Sequence, residues 1–429
     1  MAIFRSSCAV LLILWATGPF CCGQLPSGAK TKYGELASVM RQAREQDEWK
    51  TYLQHARELQ QLLNSSPTTW LNLARGRVHL KQTENALSAM QTFADMQQSA
   101  DILLTSPEFA AVRELPNFAV LRDSMRANET PVSTAVPAFA LVESGLVAED
   151  IDYDPRGRRF YVSSILKGKI LAVDRKGRAV DFVKAPDPWP MIAVKIDTRR
   201  RLLWTTEVAL QGFASIAKSD WGKSAVLCYD LDKGKLLVRV DVPSGSALGD
   251  MVLLPNGDPL LSDGAGGGLY LLHRETRSLE RIDAGDFISP QTAALHPDGK
   301  HLFVPDYLRG IGIFDLSTRK VAWMDMQKKY ALNGIDGLYF RRSSLVLIQN
   351  GTSPERVVEL KLDSTLSRVT SEQVIERATK TLGDPTHGVW VGGEFYYIAN
   401  SGWDVLNDDG TVKQGASFTP VHIMRAHVN

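Results

Sequence analysis

Residues 296–316 read HPDGKHLFVPDYLRGIGIFDL, which is a turn followed by two strand-like runs. The HPDG turn combines proline with glycine, and both residues favour a tight reversal of the chain. Each run is rich in β-branched and aromatic residues, and Gly310 separates the two. The stretch therefore predicts an antiparallel hairpin with a tight turn in front of it.

The same pattern returns through residues 138–429. Related turns, DPRG at 154–157 and LPNG at 254–257, each precede two strand-like runs. Inner strands are expected to start near Glu149, Met191, Asp250, Gln291, Asp336 and His387. These starts lie roughly 40 to 60 residues apart, the spacing of four-stranded propeller blades. The sequence predicts a mainly β fold, a six-bladed β-propeller, and a seventh start that would favour a seven-bladed ring is not found.

The ends of the propeller are expected to meet. Residues 419–426 would form the last blade together with residues 139–143, so that neither edge of the sheet stays open. Residues 127–137 are polar, contain two prolines and have no periodicity, which predicts a linker in front of the propeller.

Residues 31–126 predict an N-terminal α-helical repeat segment. They are rich in Ala, Leu, Gln, Glu and Arg, with apolar residues at helical spacing. Trp70, Leu73, Ala74, Ala86 and Met90 stand at the offsets of a tetratricopeptide unit, and a weaker copy lies 34 residues earlier. The segment resembles tetratricopeptide repeats. It is expected either to bind a protein partner in a groove or to pack as a cap on the propeller or a dimer surface.

The first 23 residues predict a signal peptide. Arg5 is followed by the apolar run CAVLLILWA at residues 8–16 and by small residues up to Gly23. The run is too short to span a bilayer comfortably, so no membrane span is expected in the mature chain. Export to the periplasm or the extracellular space is predicted, with a lipid anchor on Cys21 or Cys22 as the alternative. Three of the four cysteines lie in this segment, which leaves Cys228 as a buried apolar residue.

The charge balance argues against a nucleic-acid partner. The chain has 49 Lys and Arg residues and 48 Asp and Glu residues, a net charge of +1. Such a balance provides no large positive field to hold a phosphate backbone. A small-molecule substrate or ligand in the propeller channel is expected instead.

The candidate site follows from where inner strands begin. In a propeller these starts converge at the mouth of the central channel, which brings together Glu149, Asp150, Asp250, Gln291, Asp336 and His387. Several carboxylates in one shaft repel each other unless a cation neutralises them, and Ca²⁺ prefers oxygen ligands. His387 is interpreted either as a proton carrier or as a histidine held by backbone groups. The loop from Glu207 to Lys223 is expected to roof the channel.

Three motifs resemble the gluconolactonase, senescence-marker-protein and luciferin-regenerating-enzyme family of the paraoxonase-like superfamily. They are AEDIDYDP at 148–155, PQTAALHPDG at 290–299 and IDGL at 335–338. The resemblance implies a Ca²⁺-dependent lactonase or esterase with its metal in the channel. It implies metal ligands at Glu149 and Asp336 and a general-base role for Asp336. Asp150 and Gln291 are added as candidate ligands, and His387 as a candidate catalytic residue, from their places at the channel mouth. The sequence departs from the family at Gly249 and Gln291, where the family has asparagine, and at Met191, where paraoxonases have histidine.

Two functions are therefore expected as alternatives. The first is a metal-dependent hydrolase of a lactone or small ester. The second is a non-catalytic ligand-binding or protein-interaction scaffold with a degenerate metal site, in which the helical segment contacts the partner.

Overall fold

The computed structural model describes residues 28–243, 245–326 and 328–428. A helical segment is followed by the six sheets of a β-propeller, which confirms the predicted fold class; the four core strands of each sheet are antiparallel. The predicted signal peptide, residues 1–23, lies outside the described residues. Among the residues described, none of the helices is long and apolar enough to cross a membrane.

The described part of the helical segment contains five longer α-helices and two short ones. Their bounds are α1 Ala29–Glu45, α2 Trp49–Leu62, α3 Thr68–His79, α4 Thr83–Asp95, α5 Asp101–Thr105, α6 Ala110–Arg113 and α7 Phe118–Asn128, with a 3₁₀ turn at Pro107–Phe109. Helix α1 buries Leu36, Met40 and Ala43, which share one face of the helix.

Tyr52 fills the position where a tetratricopeptide unit has a small residue. It is buried, and a Cβ atom on Gly76 of α3 would lie 3.1 Å from its ring, so the missing side chain of Gly76 makes room for the tyrosine. Successive helices α1 to α4 pack against one another. The tetratricopeptide assignment itself stays a prediction.

Each blade has four core strands. The first lines the channel, and the others follow in order toward the outer edge of the sheet. Blade one contains β3 Ala148–Asp154, β4 Arg159–Ser164, β5 Lys169–Val173 and β6 Ala179–Lys184. Blade two contains β7 Met191–Asp197, β8 Leu202–Val208, β9 Ser224–Asp230 and β10 Leu236–Asp241. Blade three contains β11 Asp250–Leu253, β12 Pro259–Asp263, β13 Gly268–His273 and β14 Ser278–Arg281.

The second half of the ring follows the same order with additions at its edges. Blade four contains β15 Ala294–Leu295, β16 His301–Asp306, β17 Gly310–Asp315 and β18 Val321–Trp323. Blade five contains β20 Ile335–Arg341, β21 Ser344–Gln349, β22 Arg356–Leu362 and β23 Arg368–Arg377, with β1 Val132–Ser133 and β19 Asp325–Met326 paired to β23. Blade six contains β24 Gly388–Val391, β25 Glu394–Ile398, β26 Val421–His427 and β2 Val136–Leu141.

Strand β2 closes the ring. It comes from the start of the propeller and pairs antiparallel with β26 from the end of the chain, so blade six is built from both ends. The residues predicted as a linker, 127–137, contain β1 and the first residues of β2. The two parts of the chain are therefore joined by paired backbone.

The helical segment lies on the propeller face where the inner strands begin. Ile288 and Leu308 of the propeller pack into the apolar core of the helices. Ser65 donates its hydroxyl to the carbonyl of Arg309 at 2.8 Å, and the amide of Ser99 donates to the carbonyl of Ser353 at 2.7 Å. The helices thus cover the loops of blades three to five on this face.

Candidate functional site

Four ionisable side chains meet where inner strands begin. Glu149 is the second residue of β3, Asp250 the first of β11, Asp336 the second of β20, and His387 directly precedes β24. Ligand atoms of Glu149, Asp336 and His387 all lie within 4.8 Å of one another. The ring closure of the propeller brings them together although they are far apart in sequence.

The imidazole of His387 is held from both sides. Its Nδ1 lies 2.9 Å from the backbone carbonyl of Glu149, and because a carbonyl only accepts, Nδ1 carries a proton and donates it. Its Nε2 lies 2.9 Å from the hydroxyl of Thr292 and 3.5 Å from Oδ1 of Asp250. The ring is therefore oriented with Nε2 on the side of the acidic groups.

The two carboxylates of the group have their own fixed partners. The indole nitrogen of Trp403 donates to Oε2 of Glu149 at 2.6 Å. The side-chain amide of Asn350 donates to Oδ2 of Asp336 at 3.0 Å and accepts from the hydroxyl of Tyr307 at 3.0 Å. Each carboxylate is thus oriented by a hydrogen-bond donor from another part of the ring.

The electrostatics of the group favour a bound cation. Burial raises the pKa of Glu149 above its usual range, and the negative charge of Asp336 raises it further. Burial also raises the pKa of Asp336. Burial alone would lower the pKa of His387, but the charges of Asp150, Asp250 and Asp336 outweigh it and raise this pKa to about 10. If both carboxyl groups were ionised, the site would hold more negative charge than its buried surroundings easily accommodate, so protons or a cation must offset that charge.

Asp150 and Gln291, both predicted as metal ligands, have other partners. Oδ2 of Asp150 accepts from the amide of Val194 at 2.7 Å and from the ammonium of Lys195 at 2.5 Å, both in blade two. The side-chain amide of Gln291 donates to the hydroxyl of Ser289 at 3.0 Å. The group within 4.8 Å contains Glu149 and Asp336 of the predicted ligands but not Asp150.

An apolar lid lies beside the group. The loop after β8 meets residues 399–420, the longer loop between β25 and β26, and the rings of Phe213 and Trp403 contact each other edge to face at 6.2 Å. The amide of Ala214 donates to the carbonyl of Asp409 at 2.8 Å, which ties the two loops together. The loop predicted as a roof therefore packs on blade six, and through Trp403 the lid reaches Glu149.

Two further carboxyl groups lie near this site and were not predicted. The amide of Asp384 donates to Oε2 of Glu355 at 2.8 Å, and Asp384 also acts electrostatically on Asp336. Oδ1 of Asp384 is buried and has no hydrogen-bond partner among the described residues. The position of Asp384, three residues before His387, was the available sequence signal, whereas nothing local indicated Glu355.

Comparisons with known proteins support the fold. No family model matches the chain, and no curated protein matches it. The major Malassezia sympodialis allergen Mala s 1 is 14% identical with a TM-score of 0.51, over 67% of this chain and 96% of the allergen. A luciferin-regenerating enzyme is 13% identical with a TM-score of 0.47, over 69% of this chain and 95% of its own. A gluconolactonase from Xanthomonas campestris is 14% identical with a TM-score of 0.47, over 70% of this chain and 99% of its own. At 14% identity, the similarity to the allergen is one of fold.

Proposed function

We propose that this protein binds Ca²⁺ at the mouth of the propeller channel and hydrolyses a lactone or small ester there. One observation carries the proposal: carboxylate oxygens of Glu149 and Asp336 and a ring nitrogen of His387 lie within 4.8 Å of one another, although the three residues come from different blades. The similarity of residues 148–155 to the first-blade motif of the lactonase family supports the choice of substrate class.

The residues present fit a hard divalent cation. Glu149 and Asp336 supply the carboxylate oxygens that Ca²⁺ prefers, and Asp250 adds a third negative charge close by. Because burial disfavours the ionised form of both Glu149 and Asp336, a cation between them would offset that cost. The nitrogen of His387 is not a typical Ca²⁺ ligand, so His387 is assigned to proton transfer.

A Ca²⁺ ion bound here would polarise the carbonyl group of the substrate. His387 donates Nδ1–H to the carbonyl of Glu149, which leaves Nε2 as the atom that exchanges a proton with water or with the leaving group. Asn350 and Trp403 keep the two carboxylates in place, and the lid of Phe213 and Trp403 limits access of bulk water.

Thermal melting and hydrolysis by the chain lacking residues 1–23 test the proposal, in calcium-free buffer and with added Ca²⁺. The substrates are a panel of five- and six-membered lactones and aryl esters, and the test variant is Asp336→Asn. We expect Ca²⁺ to raise the melting temperature and to support hydrolysis, and Asp336→Asn to remove the shift and lower hydrolysis at least about a hundredfold. The control is Asp325→Asn, an exposed aspartate, which should behave as the wild type.

One observation favours a second candidate function, a non-catalytic ligand-binding propeller. Two cationic side chains already pair with carboxylates in the channel: Nε2 of His387 lies 3.5 Å from Asp250, and Lys195 contacts Asp150. These pairs can neutralise part of the acidic charge without a metal ion. Identical melting with and without Ca²⁺ would contradict the hydrolase proposal and favour this one. Ca²⁺ binding with no hydrolysis of any substrate would support the metal site and contradict the proposed hydrolase activity.

We also propose that the chain is exported and that the outer surface of the helical segment contacts a protein partner. Residues 1–23 carry the first proposal, because of their basic start and apolar run. Recovery of the chain from an exported fraction with its N-terminus near Gln24 would support export, whereas an intact Met1 terminus there would contradict cleavage.

A further inference from the structure

We infer that His296, Asp298 and His301 bind a transition-metal ion such as Zn²⁺ at a second site, separate from the channel mouth. His296 and Asp298 lie in the turn between β15 and β16, and His301 is the first residue of β16. This turn follows the inner strand of blade four, whereas the channel group lies where inner strands begin. The proposed site is therefore at the opposite face of the propeller.

The geometry brings three ligand atoms together. One ligand atom of each side chain lies within 4.8 Å of the other two. Nδ1 of His296 lies 3.0 Å from Oδ1 of Asp298, and Nδ1 of His301 lies 2.5 Å from Oδ2 of the same carboxylate. At this separation a proton lies between Nδ1 of His301 and the carboxylate in the metal-free protein, and a metal ion would take the place of that proton.

The ligands are held in place by the fold. The ring of His296 packs on Phe303 at 5.0 Å and stacks with Phe340 at 6.5 Å. Oδ1 of Asp298 accepts the backbone amides of Lys300 at 2.8 Å and His301 at 3.0 Å. Little side-chain freedom remains to be lost when an ion binds, which favours affinity.

The chemistry of the donor set selects the type of metal. Two imidazole nitrogens and one carboxylate oxygen suit Zn²⁺, Ni²⁺ or Cu²⁺ rather than Ca²⁺. The second nitrogen of His301, Nε2, lies 3.7 Å from Oδ2 of Asp315. In the metal-free cluster, Nδ1 of His301 carries the proton that faces Asp298 at 2.5 Å. A metal ion would displace that proton, and the ring proton would then lie on Nε2, where the negative charge of Asp315 stabilises it. The side chains of Asp298 and His301 are about one-third exposed, so an ion can enter from solvent and keep bound water.

Zn²⁺ titration calorimetry on the chain lacking residues 1–23 tests the inference. All proteins carry Asp336→Asn, so that the channel group contributes little binding. We expect one equivalent of Zn²⁺ to bind, and we expect His301→Ala to weaken binding at least tenfold. Asp315→Asn keeps all three ligands and should weaken binding by about tenfold, because the negative charge that stabilises the proton on Nε2 of His301 is lost.

His273→Ala is the matched control, because His273 is a half-exposed histidine in blade three that lies 3.5 Å from Glu280. It should bind Zn²⁺ as the parent does. Circular dichroism checks that His301→Ala is folded. If His301→Ala is not folded, the comparison of Asp315→Asn with the parent remains as the test. No measurable Zn²⁺ binding, or equal affinity in the parent and in both His301→Ala and Asp315→Asn, would show that the cluster holds protons only and would overturn the inference.

Discussion

Adjacent carboxylates at the start of β3 have different environments. The pairing of β3 with β4 is irregular between Ala148 and Ile151, and within this irregular stretch Glu149 and Asp150 have different hydrogen-bond partners. Glu149 joins the group with Asp336 and His387, whereas Asp150 accepts hydrogen bonds from Val194 and Lys195 of blade two. Asp150 thereby connects the inner strands of blades one and two, and its buried ion pair with Lys195 is a structural feature.

Replacing Asp150 distinguishes a structural ion pair from a metal ligand. In Asp150→Asn the ammonium of Lys195, which is only 13% exposed, loses its charged partner, so we expect the free energy of unfolding to fall by about 3 kcal/mol. The double variant Asp150→Asn/Lys195→Met removes both charges and should recover most of the stability and bind Ca²⁺ like the wild type. Urea unfolding and Ca²⁺ titration measure both effects. A double variant that is stable but does not bind Ca²⁺ would instead make Asp150 a ligand.

The pH dependence of stability reports on the channel group. The pKa values of Glu149 and Asp336 are raised in the folded state, so the calcium-free protein loses stability as pH rises from about 4 through the raised values. His387 has a folded pKa of about 10, so its contribution is present below about 6.5 and is lost as pH rises toward 10. All three groups therefore lower stability with increasing pH.

Ca²⁺ should reverse this trend, because it binds the ionised carboxylates. We expect the increase in melting temperature caused by Ca²⁺ to grow from pH 6 to pH 9. Melting curves in calcium-free and calcium-containing buffer measure it. The variant Glu149→Gln/Asp336→Asn should show no Ca²⁺ effect at any pH, and a wild-type effect that does not change with pH would contradict the assignment of these two carboxylates.

At the scale of elements, the turn motifs predicted the six blades, but they did not place the first residue of every inner strand correctly. Strands β7 and β11 begin at Met191 and Asp250, as predicted. Strand β15 begins only at Ala294, since Pro290, which lacks an amide donor, and Thr292 form isolated bridges instead of a ladder. Gln291, in this irregular stretch, bonds back to Ser289 of its own loop.

The members of the site contributed by distant elements had no local sequence signal. Asp250 differs from them: it was expected at the channel mouth as the start of an inner strand, and it lies 3.5 Å from His387. Asn350 and Trp403 enter the site from loops of blades five and six. Their roles depend on ring closure and loop packing, which periodicity and turn motifs do not describe.

The contact between the lid and the site gives a prediction at this scale. Trp403→Phe keeps an aromatic ring against Phe213 but removes the indole N–H that donates to Glu149. A hydrogen bond to a charged group contributes about 1.5 kcal/mol, so we expect Ca²⁺ affinity at pH 7 to fall about tenfold. The control Trp221→Phe loses an indole bond to the carbonyl of Ile216 within the same lid and should leave affinity unchanged. Equal losses in both variants would indicate a general loosening of the lid.

At the scale of the whole molecule, the face that carries the channel mouth is covered from two sides. The lid joins the loops of blades two and six, and the helical segment covers blades three to five. Strands β1 and β2 anchor the connection between the helical segment and the ring. The helices and the propeller therefore share one interface, and the strength of that interface determines whether they behave as one unit.

Ser65 lies at this interface and provides a way to disrupt it. Its hydroxyl donates to the carbonyl of Arg309, its carbonyl accepts the amide of Leu332, and Gly310, with a positive φ, packs directly against it. Ser65→Tyr places a large ring where blade four leaves no room. Such overpacking lowers the stability of the interface by about 1–3 kcal/mol, and no propeller residue is altered. The neighbouring exposed variant Asn64→Tyr is the matched control.

A protease site inserted between Thr130 and Pro131, which are exposed, allows the connection to be cut. After cleavage, we expect the helical segment to co-elute with the propeller in size-exclusion chromatography for the wild type and for Asn64→Tyr. In Ser65→Tyr the two fragments should separate, because the interface loses packing and the hydrogen bond of the Ser65 hydroxyl while the covalent link is gone. If the wild-type fragments separate, the backbone connection holds the two parts together; if Ser65→Tyr fragments stay together, the contacts of Ser99 and Arg377 carry the interface instead.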